Sequence, residues 1–381
     1  MARHYLDHAS TTPLRPEAAR AMAEWQASGV CADPGRVHTE GRMVRAALEE
    51  ARDQVAGLFG VRPRQVVFTS GGTESVNAAV WGVTRGDPGP VACSSVEHSS
   101  VREASSRAAP LVPVGVTPEG RIETGALEEA FERCRSLHGR LPSLVHCQWA
   151  NHEVGTVQPV AEVVELCHQR RVSIHVDAAA SAGHVPIDLG ALGADLVSVS
   201  AHKLGGPAGI GALVLRRGLR IEPFLVGGEQ ERARRAGLEN LAGAIGFGAA
   251  AEVLAVPGRI AAEADLARAQ TDHLTRVATG VEGVRAFGDP VDRLPHIVCL
   301  GIDGVEAEPV LLGLDQSGIA VHSGSACSSE TLEPSPVLEA MGVDADRSLR
   351  LSVGWSTTGD DLRAFESAFA VVVSRLRALR S

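Results

Sequence analysis

From about residue 43 onward, short apolar runs alternate with helical patterns, and this alternation restricts the possible folds more than any other feature of the sequence. An amphipathic helix ending at Gly60 is predicted from apolar residues spaced by four and three positions: Val44, Leu48, Ala51, Val55 and Leu58. Strands are predicted at residues 65–69, 91–95, 144–149, 172–177, 195–200 and 211–215. Helical patterns between them, such as residues 160–170, complete βαβ units. We therefore predict an α/β domain with a mostly parallel sheet, which binds ligands at the carboxyl ends of its strands.

The second half of the chain has a different pattern. Helices are predicted at residues 260–276 and 360–381, and a strand at 295–302. Residues 323–336 are rich in Gly, Ser and Pro, which predicts a mobile loop. We expect residues 15–257 to form the large domain and 258–381 a smaller α+β domain that carries the loop. An N-terminal arm, residues 1–14, is expected to join the small domain.

Composition disfavours several classes of protein. The net charge of −10 argues against direct nucleic-acid binding. There is neither an apolar run long enough for a membrane span nor a secretory signal, so we expect a cytoplasmic protein. The seven cysteines form no CxxC pair, which disfavours a metal site and a disulfide framework and fits a reducing compartment.

Lysine is almost absent. Of the 36 basic side chains, Lys203 is the single lysine. A GC-rich genome favours arginine codons over lysine codons, so a single lysine could remain by chance. The alternative is a chemical requirement, because a desolvated amine can form a Schiff base and a guanidinium cannot. We favour the chemical requirement.

Two features near strand ends suggest a ligand site. The turn Thr69-Ser-Gly-Gly-Thr73 enters a helix and could bind phosphate through free backbone N–H groups, although Gly-Gly turns are also common in purely structural roles. His98 follows another strand. It could stack on an aromatic cofactor and move protons, or it could be a structural histidine.

Two further features end the strands at 172–177 and 195–200. Asp177 closes an apolar strand, where a carboxylate needs a positive partner such as a pyridinium nitrogen, or else caps the next helix. Ser200 and His202 could donate hydrogen bonds to a phosphate beside Lys203. The spacing from Asp177 to Lys203 fits one strand–loop–strand step, which places both at the same edge of the sheet.

The sequence resembles the cysteine desulfurases of the class V aminotransferase group, in the broad NifS/IscS branch. The resemblance runs almost end to end and rests on ordered motifs: Tyr5-Leu-Asp-His-Ala-Ser-Thr-Thr12, Thr69-Ser-Gly-Gly-Thr-Glu-Ser75, Val96-Glu-His98, Asn151-His-Glu-Val-Gly155, His175-Val-Asp177, Ser200-Ala-His-Lys203, Ser323-Gly-Ser-Ala-Cys327 and Arg350-Leu-Ser-Val-Gly354. It implies the fold type I of pyridoxal-phosphate (PLP)-dependent transferases. It also implies a homodimer with each site near the subunit interface.

The same resemblance implies a role for each site residue. Lys203 would carry PLP covalently, Asp177 would face the pyridine nitrogen and His98 would stack on the ring. The phosphate would be held by Gly72, Thr73, Ser200 and His202. Arg350 would bind the substrate carboxylate, and its place in an apolar strand predicts a buried guanidinium. Cys327 would accept the sulfur.

Three positions depart from the family pattern. His152 replaces an asparagine, and Ala180 replaces a glutamine that, like that asparagine, holds the ring hydroxyl of the cofactor in the family. We expect His152 to hold this hydroxyl alone. Leu238 stands where a threonine commonly reaches the phosphate of the partner subunit, and leucine cannot donate that bond.

Cys327 differs from the other cysteines in its polar, flexible surroundings, which favour a functional thiol. The better interpretation of five others is a buried small apolar residue: Cys93, Cys134, Cys147, Cys167 and Cys299. Cys31 lies in a polar loop and receives no role.

The resemblance thus implies conversion of L-cysteine to L-alanine. The freed Lys203 would remove the α-proton, and the Cys327 thiolate, activated by His98 or another base, would take the sulfur as a persulfide. An acceptor protein would carry it to iron–sulfur assembly, tRNA thiolation or DNA phosphorothioation, since the sequence also resembles desulfurases of that last system. The alternatives are a PLP aminotransferase, a selenocysteine lyase and a non-catalytic scaffold for sulfur trafficking. A nicotinamide-dependent oxidoreductase ranks last, because no GxGxxG follows the first strand.

Overall fold

The computed structural model describes residues 3–323 and 334–379. The strands are His4–Tyr5 (β1), Val66–Thr69 (β2), Val91–Ser94 (β3), Leu111–Val114 (β4), Leu144–Gln148 (β5), Ser173–Asp177 (β6), Leu196–Ser200 (β7), Gly211–Leu215 (β8), Val284–Phe287 (β9), Ile297–Ile302 (β10), Ile319–Ala320 (β11), His322–Ser323 (β12) and Ser348–Ser352 (β13). The helices are Pro16–Ala27 (α1), Thr39–Leu58 (α2), Gly72–Thr84 (α3), Ser99–Ala108 (α4), Thr124–His138 (α5), Val160–Arg170 (α6), Leu189–Leu192 (α7), Gln230–Ala233 (α8), Leu241–Ala255 (α9), Arg259–Thr279 (α10), Ala307–Gln316 (α11), Pro336–Ala340 (α12) and Gly359–Ala378 (α13).

A seven-stranded sheet organises the first part of the chain, in the order β2-β8-β7-β6-β5-β3-β4. Strand β8 pairs antiparallel with both of its neighbours, and the remaining pairs are parallel. The predicted α/β class and mostly parallel sheet are therefore confirmed. The antiparallel strand has a simple cause: only residues 201–210 separate β7 from β8, which is too short for the helical crossover of a parallel pair.

The register of this sheet places the carboxyl ends of several strands next to one another. Gln148 pairs with Asp177, and Asp177 pairs with Ser198, so β5, β6 and β7 end side by side. Strand β8 begins opposite Ser200, and β2 ends at the same edge. Ligand-binding residues that follow these strands are consequently brought together.

A four-stranded antiparallel sheet, β12-β13-β10-β9, organises the rest of the chain. Helices α10, α11 and α13 pack on it around a separate apolar core that includes Leu300 and Phe365. The N-terminal segment joins this unit, because β1 pairs with β11 and Leu6 lies in the same core. The division into domains at residues 14/15 and 257/258 stays a prediction.

None of the helices in the described part of the chain is, by itself, both long and apolar enough to cross a membrane. Helices α9 and α10 meet the criterion of length and composition only together, as a pair bent by 83°. Much of α9 is buried against α1 and α2.

Candidate active site

A cavity of about 280 Å³ opens at the carboxyl ends of the parallel strands. This volume lies near the lower end of the range of small-ligand sites, about 300–1,000 Å³. Nine of the residues predicted to form the site line it: Gly72, Thr73, His98, His152, Asp177, Ser200, His202, Lys203 and Arg350. Cys327, the tenth, lies outside the described residues.

The start of α3 forms one side of the cavity. Gly71, with φ of 149°, immediately precedes the helix and adopts a backbone conformation that side chains disfavour. Gly72 and Thr73 then present the free N–H groups of a 13-residue helix to the cavity. The next residue, Glu74, is directed away, to Arg235 and to the backbone N–H of Ser70. This side of the cavity therefore suits an anion such as phosphate.

Ser200 and His202 lie next to this helix start. Both line the cavity, and Nδ1 of His202 lies 3.1 Å from Oγ1 of Thr11. Burial, followed by the charge of Lys203, lowers the pKa of His202 to about 4. The imidazole is therefore neutral at physiological pH and could hydrogen-bond to a phosphate.

Lys203 ends the short 3₁₀ helix Ala201–Lys203 that follows β7. Its Nζ hydrogen-bonds to the carbonyl oxygen of Ala9 in the N-terminal segment, and its backbone carbonyl accepts from Nε2 of His184 at 2.9 Å. The amine of Lys203 thus lies in the cavity, where Ala9 holds the side chain and His184 holds the main chain.

Asp177 is the last residue of β6. Its Oδ1 accepts the backbone N–H of Ala179 at 2.9 Å. Nearby Glu97 is buried, and burial together with the Asp177 charge raises the pKa of Glu97 to about 8. Since Glu97 keeps its proton at neutral pH, the carboxylate charge at this end of the cavity belongs to Asp177.

His98 caps α4 and lines the cavity. Its Nδ1 accepts the backbone N–H of Ser100 at 3.1 Å, which places the proton of the neutral ring on Nε2. The rings of His98 and His152 meet edge to face with centroids 5.0 Å apart. Ala180 also lines the cavity and offers no polar group there.

Arg350 lies on β13 and is only 2% exposed, as the apolar strand predicted. Its Nη1 donates to the carbonyl oxygen of His152 at 3.0 Å, and Nη2 donates to Asp7 and Ser10 at 3.0 and 2.6 Å. The guanidinium is held in place at the cavity wall opposite the large sheet.

The residues of the cavity fit PLP. A helix start with Ser200 and His202 suits the phosphate, the chain's one amine suits the aldehyde, and the Asp177 carboxylate suits a protonated ring nitrogen. These features occur in one cavity and are matched to different parts of the same cofactor.

The expected burial of the five apolar cysteines is confirmed, and Cys31 is exposed.

Sequence reasoning missed several polar residues of the site. Gln148 lines the cavity, and its amide nitrogen donates to the carbonyl oxygen of Val96 at 2.8 Å. Asp7 and Ser10 hold Arg350, although only their place in the N-terminal motif hinted at a role.

Comparison with known proteins supports the same assignment. The family model described as Aminotransferase class-V matches residues 4–365. The protein is 37% identical to the cysteine desulfurase IscS of Dictyoglomus turgidum, over 98% of this chain and 95% of the relative. It is also 37% identical to the IscS-like cysteine desulfurase of Mycobacterium tuberculosis, over 98% and 97%.

A solved structure agrees in fold. The NifS-like protein of Rickettsia africae superimposes with a TM-score of 0.88 at 28% identity, covering 98% of this chain and 99% of the other. The match extends over both sheets and is consistent with fold type I of the PLP-dependent enzymes. The chain belongs to the class-V aminotransferase family, whose members depend on PLP.

Proposed function

We propose that this protein is a cysteine desulfurase that converts L-cysteine to L-alanine and collects the sulfur on Cys327. The observation that carries the proposal is the placement of Lys203, Asp177 and Arg350 around one cavity. An amine, a carboxylate and a buried guanidinium are the groups that PLP chemistry on an amino acid needs. The names of the relatives, cysteine desulfurases at 37% identity, favour cysteine as that amino acid.

PLP bound here would supply a carbonyl carbon for the substrate amine and a protonated ring that withdraws electrons from the α-carbon. Lys203 holds the cofactor and then removes the α-proton with Nζ. The Asp177 carboxylate would face the ring nitrogen and favour its protonated form. Gly72, Thr73, Ser200 and His202 would hold the phosphate at the start of α3.

Arg350 binds the substrate carboxylate and thereby orients the thiol. His98 would stack on the ring, and its Nε2–H could donate a hydrogen bond to the substrate sulfur. The Cys327 thiolate would attack the substrate sulfur, so that the S–S bond of a persulfide forms as the Cβ–S bond breaks. The electron pair of that bond stays with the carbon fragment, which takes up a proton at Cβ and leaves as alanine. The sulfur then passes to an acceptor protein of iron–sulfur assembly, tRNA thiolation or DNA phosphorothioation.

His152 holds the ring hydroxyl of the cofactor in place of the two amides of the family. His152 and Ala180 both line the cavity, but alanine has no polar group that could hold the hydroxyl. The amide of Gln148 lies in the same cavity and is a second polar group available to the ring.

The protein works as a cytoplasmic homodimer in this proposal. Large apolar side chains are exposed between β8 and α9, including Val226 at 77% and Leu238 at 64%. The backbone N–H of Ala236 donates to the carbonyl oxygen of Leu225 and links the two stretches. A second copy of the chain would cover this surface. The side chain of Leu238 could not donate a hydrogen bond to the cofactor phosphate of that second copy.

The test is a comparison of purified holoenzymes supplied with L-cysteine. The wild type should release alanine and sulfide in equal amounts with a thiol reductant. Cys327→Ser should retain the cofactor colour and lose sulfide release, and Cys31→Ser, the matched control in an exposed loop, should behave as the wild type. Full sulfide release by Cys327→Ser would refute the acceptor role. Transfer of the amino group to a keto acid would instead identify an aminotransferase.

A further inference from the structure

The guanidinium of Arg350 is already paired within the protein. Asp7 Oδ1 accepts from Nη2 at 3.0 Å, and Ser10 Oγ accepts from the same nitrogen at 2.6 Å. Ser10 Oγ in turn donates to Asp7 Oδ1 at 2.9 Å. The three side chains form a closed hydrogen-bonded triangle, with Ser10 and Arg350 lining the cavity.

Outside this triangle, the guanidinium has two further nitrogens, Nη1 and Nε. Nη1 is fixed by the carbonyl oxygen of His152, whereas Nε is buried and has no hydrogen-bond partner in the described ranges. Arg350 is 2% exposed and the Asp7 side chain 15%. A buried cation without a counter-charge is costly, so Asp7 compensates Arg350 whenever the site holds no carboxylate.

We propose that Asp7 is the resident counter-charge of Arg350 and sets how strongly the site holds the carboxylate of its substrate. The inference rests on the proposed function, in which Arg350 anchors that carboxylate. Asp7 acts through Arg350 and is a positioning residue. Its hydrogen bond orients the guanidinium, and its charge weakens the attraction for a second carboxylate.

Two substitutions distinguish the effect of the Asp7 charge from the effect of its hydrogen bond. Asp7→Asn keeps an oxygen that can accept from Nη2 but removes the charge, so KM for L-cysteine should fall, by roughly three- to tenfold for an uncompensated charge-assisted pair. Asp7→Ala removes the acceptor as well and frees the guanidinium. Its KM should rise, by roughly fivefold or more. Changes in opposite directions, with kcat altered less than KM, are not expected of a merely structural residue.

Cysteamine provides the control ligand, because it is cysteine without the carboxylate. Its inhibition constant should be nearly the same in the wild type and in Asp7→Asn. The matched control variant is Asp303→Asn, which neutralises an exposed aspartate 2.7 Å from Arg285 in the other half of the chain. That variant should leave KM unchanged.

The proposal is overturned if Asp7→Asn raises KM or leaves it unchanged, or if cysteamine binding changes in parallel with cysteine. Should Asp7→Ala fail to fold, the Asp7→Asn measurement still decides. A wild type that releases no alanine from cysteine would refute the proposed function itself, which is a separate result from an unexpected KM in an active enzyme.

Discussion

Glu97 offers a quantitative test of the electrostatics beneath the cofactor site. Its side chain is buried at 1% exposure, and Oε1 accepts the backbone N–H of Gln148 at 2.5 Å. Oε2 is buried without a hydrogen-bond partner in the part of the chain described here. Burial, followed by the charge of Asp177, raises the pKa from 4.5 to about 8. The carboxyl group is therefore neutral in the folded protein at pH 7.

The raised pKa makes stability depend on pH. The unfolded chain releases the Glu97 proton above about pH 4.5, whereas the folded protein keeps it until about pH 8. Between pH 5 and pH 8 the wild type loses up to about 1.4 kcal/mol of stability per pH unit, on the order of 4 kcal/mol in all. Glu97→Gln does not titrate. Its stability relative to the wild type should therefore increase by that amount between pH 5 and pH 8 and then level off.

The assay is urea unfolding of the holoenzymes between about pH 5 and pH 9, with the difference in free energy of unfolding taken at each pH. Glu132→Gln is the matched control, because Glu132 is 66% exposed in a surface pair and its difference should stay within about 1 kcal/mol at every pH. A difference between Glu97→Gln and the wild type that does not change with pH would show that Glu97 is ionised in the folded protein and would refute the reasoning.

Two further predictions concern packing and the cofactor. Glu231→Gln should cost about 3–5 kcal/mol in urea unfolding, because it breaks a buried pair with Arg52 at 2.6 Å. Glu128→Gln, in an exposed pair with Arg170, should cost less than about 1 kcal/mol, and equal losses would contradict the burial argument. His152→Ala should shift the visible absorption maximum of the bound cofactor; an unchanged spectrum would exclude contact of His152 with the ring hydroxyl.

Much of the fold could be predicted from local patterns. The helix predicted at residues 160–170 has the bounds of α6, because its apolar residues repeat at helical spacing and its flanking strands are buried. Asp177 and Lys203 meet at one edge because consecutive parallel strands end there. The antiparallel direction of β8 was not predicted, although the predicted strands at 195–200 and 211–215 already leave a gap too short for a helical crossover.

The partners of Arg350 could not be predicted in the same way. Asp7 and Ser10 are more than 300 positions away from Arg350 in the sequence. They contact Arg350 because the N-terminal segment, through the pairing of β1 with β11, joins the part of the chain that contains β13. The neutral state of Glu97 was equally hidden, because its cause is burial among distant strands rather than any local motif. Long-range packing, not residue type, decides both features.

The covalent attachment of the cofactor at Lys203 is the central claim, and the composition of the chain makes it simple to test. Holoenzyme reduced with borohydride, digested and analysed by mass spectrometry should carry the mass of reduced PLP on the peptide that contains Lys203, close to one per chain. An unmodified Lys203 peptide in coloured, active enzyme, or the label on any other residue, would contradict the account.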